Sequence, residues 1–292
     1  MADERRLIIV SGLSGSGKSV ALHVLEDLGY YCIDNLPAAL LQSAVAEVTA
    51  GAEQNGKLIA VGIDARNRRH DLQALPSLVG QFREQDILTD VLFLQAEDQI
   101  LLKRYSESRR RHPLAVHGSA LRSAIETERE MLAEVINTAD LIIDTSRTSV
   151  YELSDIIRER VDRRTSDSMS VLIESFGFKF GIPADADFVF DLRSLPNPYW
   201  TVELRGLTGL DQEVSNFLDS HESFCTMHDD ILGFLLKWIP TYRRVHRGYL
   251  TVALGCTGGQ HRSVYMVEKL SASLQDRGEP VSTRHNELRK KL

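Results

Sequence analysis

The stretch Leu7-Ile8-Ile9-Val10-Ser11-Gly12-Leu13-Ser14-Gly15-Ser16-Gly17-Lys18-Ser19 constrains this chain more than any other. Four consecutive apolar residues lead into a glycine-rich turn. Val20, Ala21, Val24, Leu25 and Leu28 then recur at helical spacing, so the segment reads as buried strand, turn and helix. Gly12, Gly17, Lys18 and Ser19 satisfy the P-loop spacing G-x-x-x-x-G-K-[ST]. Glycines let backbone N–H groups converge on phosphate oxygens where a side chain would clash. Lys18 would reach the β- and γ-phosphates, and the Ser19 hydroxyl would ligate Mg²⁺. The helix that follows turns its N-terminal dipole toward the same anions.

Short strand and helix patterns alternate through residue 162. Expected strands are 7–10, 30–33, 58–63, 91–94 and 141–143. Expected helices follow the P-loop and then cover about 37–49, 71–85, 97–106, 119–138 and 149–162. This alternation implies a parallel sheet with helices on both faces. Ligands of such sheets sit beyond the carboxyl ends of the strands. Asp34, Asp64 and Asp144 all fall there and are candidates to hold Mg²⁺, usually through its waters. Short alternating units after a strand-1 P-loop resemble the nucleoside- and nucleotide-kinase branch of P-loop folds, in which strand 3 lies beside strand 1. Asp64 is therefore the first choice for metal and catalysis, with Lys18, and Asp144 the alternative. An Asp after a strand is also a common helix N-cap. The basic run Arg109-Arg110-Arg111-His112-Pro113 has two readings, a solvated face or a source of arginines that neutralise a transferring phosphoryl group. Arg104, Arg109 and Arg111 are the candidates, and sequence does not choose among them.

Residues 158–168 are rich in Arg, Asp, Ser and Thr and read as a helix running into a linker. The expected domains are 1–165, a P-loop kinase-like nucleotide-binding domain, and 166–292, a smaller α/β domain. In the second half, 170–176, 188–190 and 249–254 read as strands. Leu195-Pro196-Asn197-Pro198-Tyr199-Trp200 reads as a rigid extended segment, and helices are expected at 211–219 and 224–240. The last strand enters Gly255-Cys256-Thr257-Gly258-Gly259-Gln260-His261-Arg262-Ser263 and then a helix to about Asp276. Strand, glycine-rich turn and helix recur, without the Gly-Lys-Ser ending. Backbone amides and Arg262 suit a phosphate or sugar phosphate. Cys256-x5-Arg262 also matches a cysteine-phosphatase loop, with Gly255 where those enzymes carry His.

The net charge of −7 confines any nucleic-acid surface to a local patch. The chain ends Arg284-His285-Asn286-Glu287-Leu288-Arg289-Lys290-Lys291-Leu292, a basic tail that either supplies RNA phosphate contacts or is simply solvated. The charged N-terminus does not read as a signal peptide, and no apolar run reaches membrane-spanning length. Three cysteines without metal-type spacing fit reduced thiols, so a cytoplasmic protein is expected.

With both halves read, the sequence resembles the RapZ/YvcJ family of bacterial P-loop nucleotide-binding proteins, also called RNase adapter proteins. The matching residues are Gly12–Ser19, Asp34-Asn35-Leu36-Pro37, Asp64-Ala65-Arg66-Asn67, Arg109-Arg110-Arg111-His112-Pro113-Leu114, Ser175-Phe176-Gly177-Phe178-Lys179, Asp191-Leu192-Arg193, Pro196-Asn197-Pro198 and Gly255–Ser263. The resemblance implies slow hydrolysis of ATP and GTP with Mg²⁺. It assigns ATP to Gly12, Leu13, Ser14, Gly15, Ser16, Gly17, Lys18 and Ser19, and GTP to Asp64, Ala65, Arg66 and Asn67. It implies an amino-sugar phosphate, glucosamine-6-phosphate, at Thr257, Gly258, Gly259, His261 and Arg262. It also implies a small regulatory RNA presented to RNase E, contacted here by Arg277, Arg284, His285, Arg289, Lys290 and Lys291. A homo-oligomer is expected. Around the last helix and tail this chain is less basic than the well-known RNA-binding members: Asp276, Glu279 and Glu287 dilute the charge, and Gln260 stands where Lys is familiar. Two further readings stay open, a small-molecule kinase and a Cys-x5-Arg phosphatase.

Overall fold

The computed structural model describes residues 5–50, 58–115, 120–162, 169–245 and 247–288. The chain divides into two compact units, Met1–Asp167 and Ser168–Leu292.

The first unit is an all-parallel five-stranded sheet. Its strands are β1 (Arg5–Gly12), β2 (Tyr31–Ile33), β3 (Leu58–Gly62), β4 (Ile87–Gln95) and β5 (Leu141–Asp144), in the order β2-β3-β1-β4-β5. The expected placing of strand 3 beside strand 1 holds, with Ile9 opposite Val61 and Val10 opposite Gly62. Leu7, Ile9, Val61, Val91 and Phe93 pack with Leu72, Leu75, Val79 and Phe82. The alternate residues Ile8, Val10, Ala60 and Leu92 are also wholly buried. Burial on both faces is why these strands read as unbroken apolar runs.

The helices of this unit are α1 (Lys18–Asp27), α2 (Leu41–Ala50), α3 (Arg69–Gln73), α4 (Leu75–Glu84), α5 (Asp98–Ser108), α6 (Leu121–Met131), α7 (Ala133–Thr138) and α8 (Val150–Asp162). The single helix expected over 71–85 is two. Pro76 lies in the first turn of α4 and has no N–H to continue the ladder from α3. The helix expected from 37 opens as a 3-10 turn, Ala38–Leu40, because the side chain of Asn67 accepts the Ala38 N–H at 2.6 Å and fixes that corner. The helix expected over 119–138 is α6 and α7, parted at Leu132; residue 119 lies outside the described residues.

The second unit is also parallel: β6 (Ser170–Gly177), β7 (Phe188–Asp191), β8 (Tyr249–Cys256) and β9 (Val281–His285), in the order β7-β8-β6-β9. Helices α9 (Gln212–Asp219), α10 (Glu222–Arg244) and α11 (Arg262–Gln275) accompany it. Val171, Ile173, Val252 and Leu254 form its core with Leu235, Ile239, Val267 and Leu270. The extended reading of 195–200 is corrected. Pro198–Trp200 is a 3-10 turn, with the Asn197 side chain accepting the Tyr199 N–H.

The larger correction is β9. Residues 284 and 285, read as the start of a basic tail, form an edge strand paired with β6. Arg284 donates to Glu174 at 2.6 Å and to Asp185 at 3.0 Å, with its side chain only 12% exposed. His285 bridges Ser175 and Glu268. Both are held by partners within the fold and fasten the edge strand. Arg289, Lys290 and Lys291 lie outside the described residues. Among the described residues no helix is long and apolar enough to cross a membrane.

Candidate functional site

The P-loop leaves β1 through Gly12, whose φ is 141°. A Cβ there would lie 2.1 Å from the Leu94 carbonyl oxygen, so the turn admits no side chain. Gly17 (φ 107°) then opens α1, and a Cβ there would meet Leu153 at 2.7 Å. Four successive loop residues are each gripped by a different element. Leu13 N–H donates to the Leu94 carbonyl on β4 at 3.0 Å. Ser14 donates to Glu128 on α6 through its N–H at 2.9 Å and its hydroxyl at 2.6 Å. The Gly15 carbonyl accepts from Arg104 on α5 at 2.9 Å. The Ser16 carbonyl accepts from the Thr145 hydroxyl, just past β5, at 2.9 Å. Arg104 also donates to the hydroxyl and carbonyl of Thr145, so the two supports brace each other. The loop is ordered before any ligand arrives, which lowers the ordering cost of binding.

Lys18 Nζ donates to the Gly12 carbonyl at 2.7 Å, across the mouth of the turn. Burial holds its pKa below the ordinary lysine value, against the opposing pull of Glu128 and Asp64. Ser19 is exposed beside it on the first turn of α1. Asp64 lies two residues past β3. Burial works to raise its pKa, but hydrogen bonds from Arg66 and the charge of Lys18 hold it below the usual carboxylate range. Arg66 reaches it through the backbone N–H at 3.0 Å and through Nε and Nη2 at 2.9 and 2.6 Å. Of the four residues expected to contact GTP, Arg66 alone keeps an exposed side chain, at 48%. Ala65 is buried in the core. The Asn67 amide accepts from Ala38 and donates to the Asp64 carbonyl, tying two loops together. Asp144 accepts the Ser146 N–H at 2.8 Å in a local turn. The cap of α8 falls instead to Ser149 and Glu152, whose side chains each accept the other's N–H.

The second glycine-rich loop has a different interior. Cys256 Sγ accepts the Gly259 N–H at 3.2 Å and lies 3.2 Å from Ser263 Oγ. Burial pushes the thiol up, yet the hydrogen bonds from Ser263 and Gly259 and the Arg262 charge bring it below its ordinary value. Arg262 is turned inward. Its Nη1 donates to the carbonyls of Arg193 and Leu195, both at 2.9 Å, and its Nη2 lies 3.4 Å from the Thr257 hydroxyl. Of the five residues expected to hold a sugar phosphate, Thr257 is exposed and Gly258 half-buried, while Gly259, His261 and Arg262 are buried. Exposed Lys179 and Arg193 flank the loop: Lys179 N–H donates to the Thr257 carbonyl, and Arg193 lies over the Phe178 ring at 3.9 Å. Cysteine-phosphatase chemistry needs an open approach to sulfur and an arginine facing the phosphate. Cys256 is 3% exposed and Arg262 is spent on main-chain carbonyls. Arg277, in the turn after α11, is exposed and donates to the Ser273 carbonyl.

Residues 5–165 match the RapZ-like N-terminal domain, and residues 169–289 match the RapZ C-terminal domain. This chain belongs to the RapZ family. A nucleotide-binding protein of Thioalkalivibrio sulfidiphilus is 51% identical over 284 residues, covering 97% of this chain and 99% of its own length. One from Halorhodospira halophila is 54% identical over 283 residues, covering 97% and 98%. Among solved structures, a shikimate kinase from Bacteroides thetaiotaomicron covers 53% of this chain and 98% of its own, at 16% identity and a TM-score of 0.35.

Within this RapZ-family fold, sequence reasoning missed Glu128 and Thr145, and read His112 only as part of the basic run. Glu128 is one acid in an ordinary amphipathic helix, and Thr145 one hydroxyl in a polar turn. No spacing marks either, because their partners lie 114 and 129 residues away. Arg104 was one of three arginine candidates, and it is the one that grips the P-loop.

Proposed function

We propose that this chain is a regulatory nucleotide-binding protein, with ATP or GTP at the P-loop and slow hydrolysis. The observation that carries this reading is the loop held open at Leu13, Ser14, Gly15 and Ser16 with Lys18 across its mouth. The names of its relatives agree. A Cβ at Gly12 or Gly17 would run into Leu94 or Leu153, so the turn takes glycine at both places, as a backbone that wraps a phosphate does. Ser19 and the ionised Asp64 are the residues to hold Mg²⁺, which would neutralise phosphate charge. Arg66 is the exposed cation at the same sheet edge.

The second unit binds an amino-sugar phosphate through Thr257 and the Gly258 backbone, flanked by Lys179 and Arg193. By family resemblance the output is RNA adaptation toward RNase E, by a homo-oligomer. RNA contacts then rest on Arg277, Arg289, Lys290 and Lys291, since Arg284 and His285 serve the fold. The kinase-like strand order favours one second reading, phosphoryl transfer to a small acceptor.

Calorimetric titration of ATP and GTP into wild type and Lys18→Ala tests the reading. Loss of the lysine costs about 2–3 kcal/mol, roughly a hundredfold in affinity. Equal affinity in the variant moves the nucleotide elsewhere. Rapid phosphorylation of an offered sugar or nucleoside would replace the regulator with the kinase.

A further inference from the structure

Glu128 is out of place beside a phosphate site. Its side chain is fully buried, and it is the acid that most strongly opposes the lowering of the Lys18 pKa. A carboxylate here repels the nucleotide the loop is built to hold, so its role must outweigh that cost. Its partners indicate the role. Its Oε1 accepts the hydroxyl of Ser14, in the middle of the P-loop. Its Oε2 accepts the Ser14 N–H and also meets His112 Nε2 at 3.1 Å. The His112 tautomer follows from geometry. Its Nδ1 accepts the Leu114 N–H at 3.2 Å, so Nε2 carries the proton and donates to Glu128. Three donors therefore converge on one carboxylate, and burial is outweighed: the Glu128 pKa lies below its ordinary value, with His112 and Ser14 as the leading causes. His112 is wholly buried, while Arg109, Arg110 and Arg111 just before it are exposed. Tyr105 completes the cluster. Its ring lies 5.2 Å from the His112 ring and would sit 3.5 Å from a Cβ on Gly15.

We propose that Ser14, Glu128 and His112 form a latch that fastens the arginine segment 109–111 to the P-loop, so that nucleotide binding and the placing of those arginines are a single event. Glu128 is a positioning residue; it touches the loop, not the ligand. Nucleotide settling on the loop holds Ser14 against local opening, and through Glu128 and His112 it holds the arginines beside them as well. The proposal rests on the nucleotide reading above.

Trypsin supplies the readout, because it cuts after Arg109, Arg110 and Arg111. In wild type, saturating Mg–ATP slows cleavage there about tenfold, as expected if bound nucleotide suppresses local opening. In Glu128→Gln an amide N–H₂ faces donors where a carboxylate accepted them. Cleavage is then the same with and without nucleotide, read at a nucleotide concentration that saturates each variant. His112→Ala also loses the protection. His112→Gln, whose amide can donate in place of Nε2, recovers most of it. Protection that persists in both Glu128→Gln and His112→Ala overturns the latch. So does protection that is lost only because nucleotide binds less tightly, which saturating nucleotide then restores. If Glu128→Gln does not fold, the two His112 variants decide alone. A wild type that binds no nucleotide overturns the P-loop reading itself, an outcome calorimetry separates from failure of the latch.

Discussion

The two glycine-rich loops of this chain look alike on paper. Each leaves an interior parallel strand, β1 or β8, and enters a helix, α1 or α11. Each carries a cation at its helical end, Lys18 or Arg262. In the first loop the supports come from outside. β4, α6, α5 and the turn after β5 hold its backbone, and Lys18 stays half-buried at its mouth. The second loop also takes outside bonds, from the N–H groups of Lys179 and Gly209 to the carbonyls of Thr257 and Gln260, but its own sulfur and cation are turned to its support. The Cys256 sulfur takes a backbone N–H that could have faced a ligand, and Arg262 is buried on the carbonyls of 193 and 195. Glycine spacing thus tells where a chain can approach an anion. The destination of the cation tells whether the loop is spent on its own fold.

The comparison breaks most clearly at Arg262. Replacing it by Met strips donors from two buried carbonyls, and each unmet group costs about 1–3 kcal/mol. Both tryptophans, Trp200 and Trp238, lie in the second unit, so tryptophan fluorescence follows its unfolding alone. Urea unfolding of Arg262→Met is expected to show a loss of about 3 kcal/mol, with nucleotide affinity unchanged. A loss under about 1 kcal/mol would make Arg262 a spare cation like Lys18, and the contrast would dissolve.

The next effect tests the outside support of the first loop. Arg104→Ala removes the donor to Gly15 and releases Thr145, which holds Ser16. Nucleotide affinity should drop about tenfold, or about 1.4 kcal/mol, because the loop must then be ordered on binding. Affinity within a factor of about two of wild type would show that β4 and α6 suffice.

The parallel sheets and the P-loop were legible because each rests on contiguous residues. Apolar runs at 7–10, 58–63 and 249–254 mark buried strands, and Gly12 to Ser19 carries its own spacing. The strand beside β1 was legible by analogy with kinase-like folds, which put Asp64 near Lys18. What stayed hidden depends on partners far along the chain. Val281-Ser282-Thr283-Arg284-His285 alternates poorly, and two basic residues after Pro280 read as tail. Only the acids on β6 and near Asp185 turn Arg284 inward, and one more, on α11, claims His285. Glu128 was invisible for the same reason, since nothing local distinguishes a helix acid that reaches Ser14 from one that reaches water.

The smallest effect concerns the sulfur inside the second loop, and it is a matter of pH. The Cys256 thiol of the folded protein ionises below its ordinary value of 9.0, despite its burial, because Ser263, Arg262 and Gly259 favour the thiolate. The unfolded thiol keeps its ordinary value. Between the two, the unfolded chain holds more protons than the folded one, so stability rises with pH. The contribution is complete above the ordinary thiol value and is lost as pH falls through the folded one. Cys256→Ser has no group that ionises there and lacks this slope. The hydroxyl keeps a bond to Ser263 and Gly259, so near neutral pH the substitution should cost no more than about 1 kcal/mol. Urea midpoints followed by tryptophan fluorescence from pH 6 to 9 should therefore diverge, with wild type gaining on the variant as pH rises. Midpoints that run parallel would mean a neutral, buried thiol. The second loop would then hold no anion of its own.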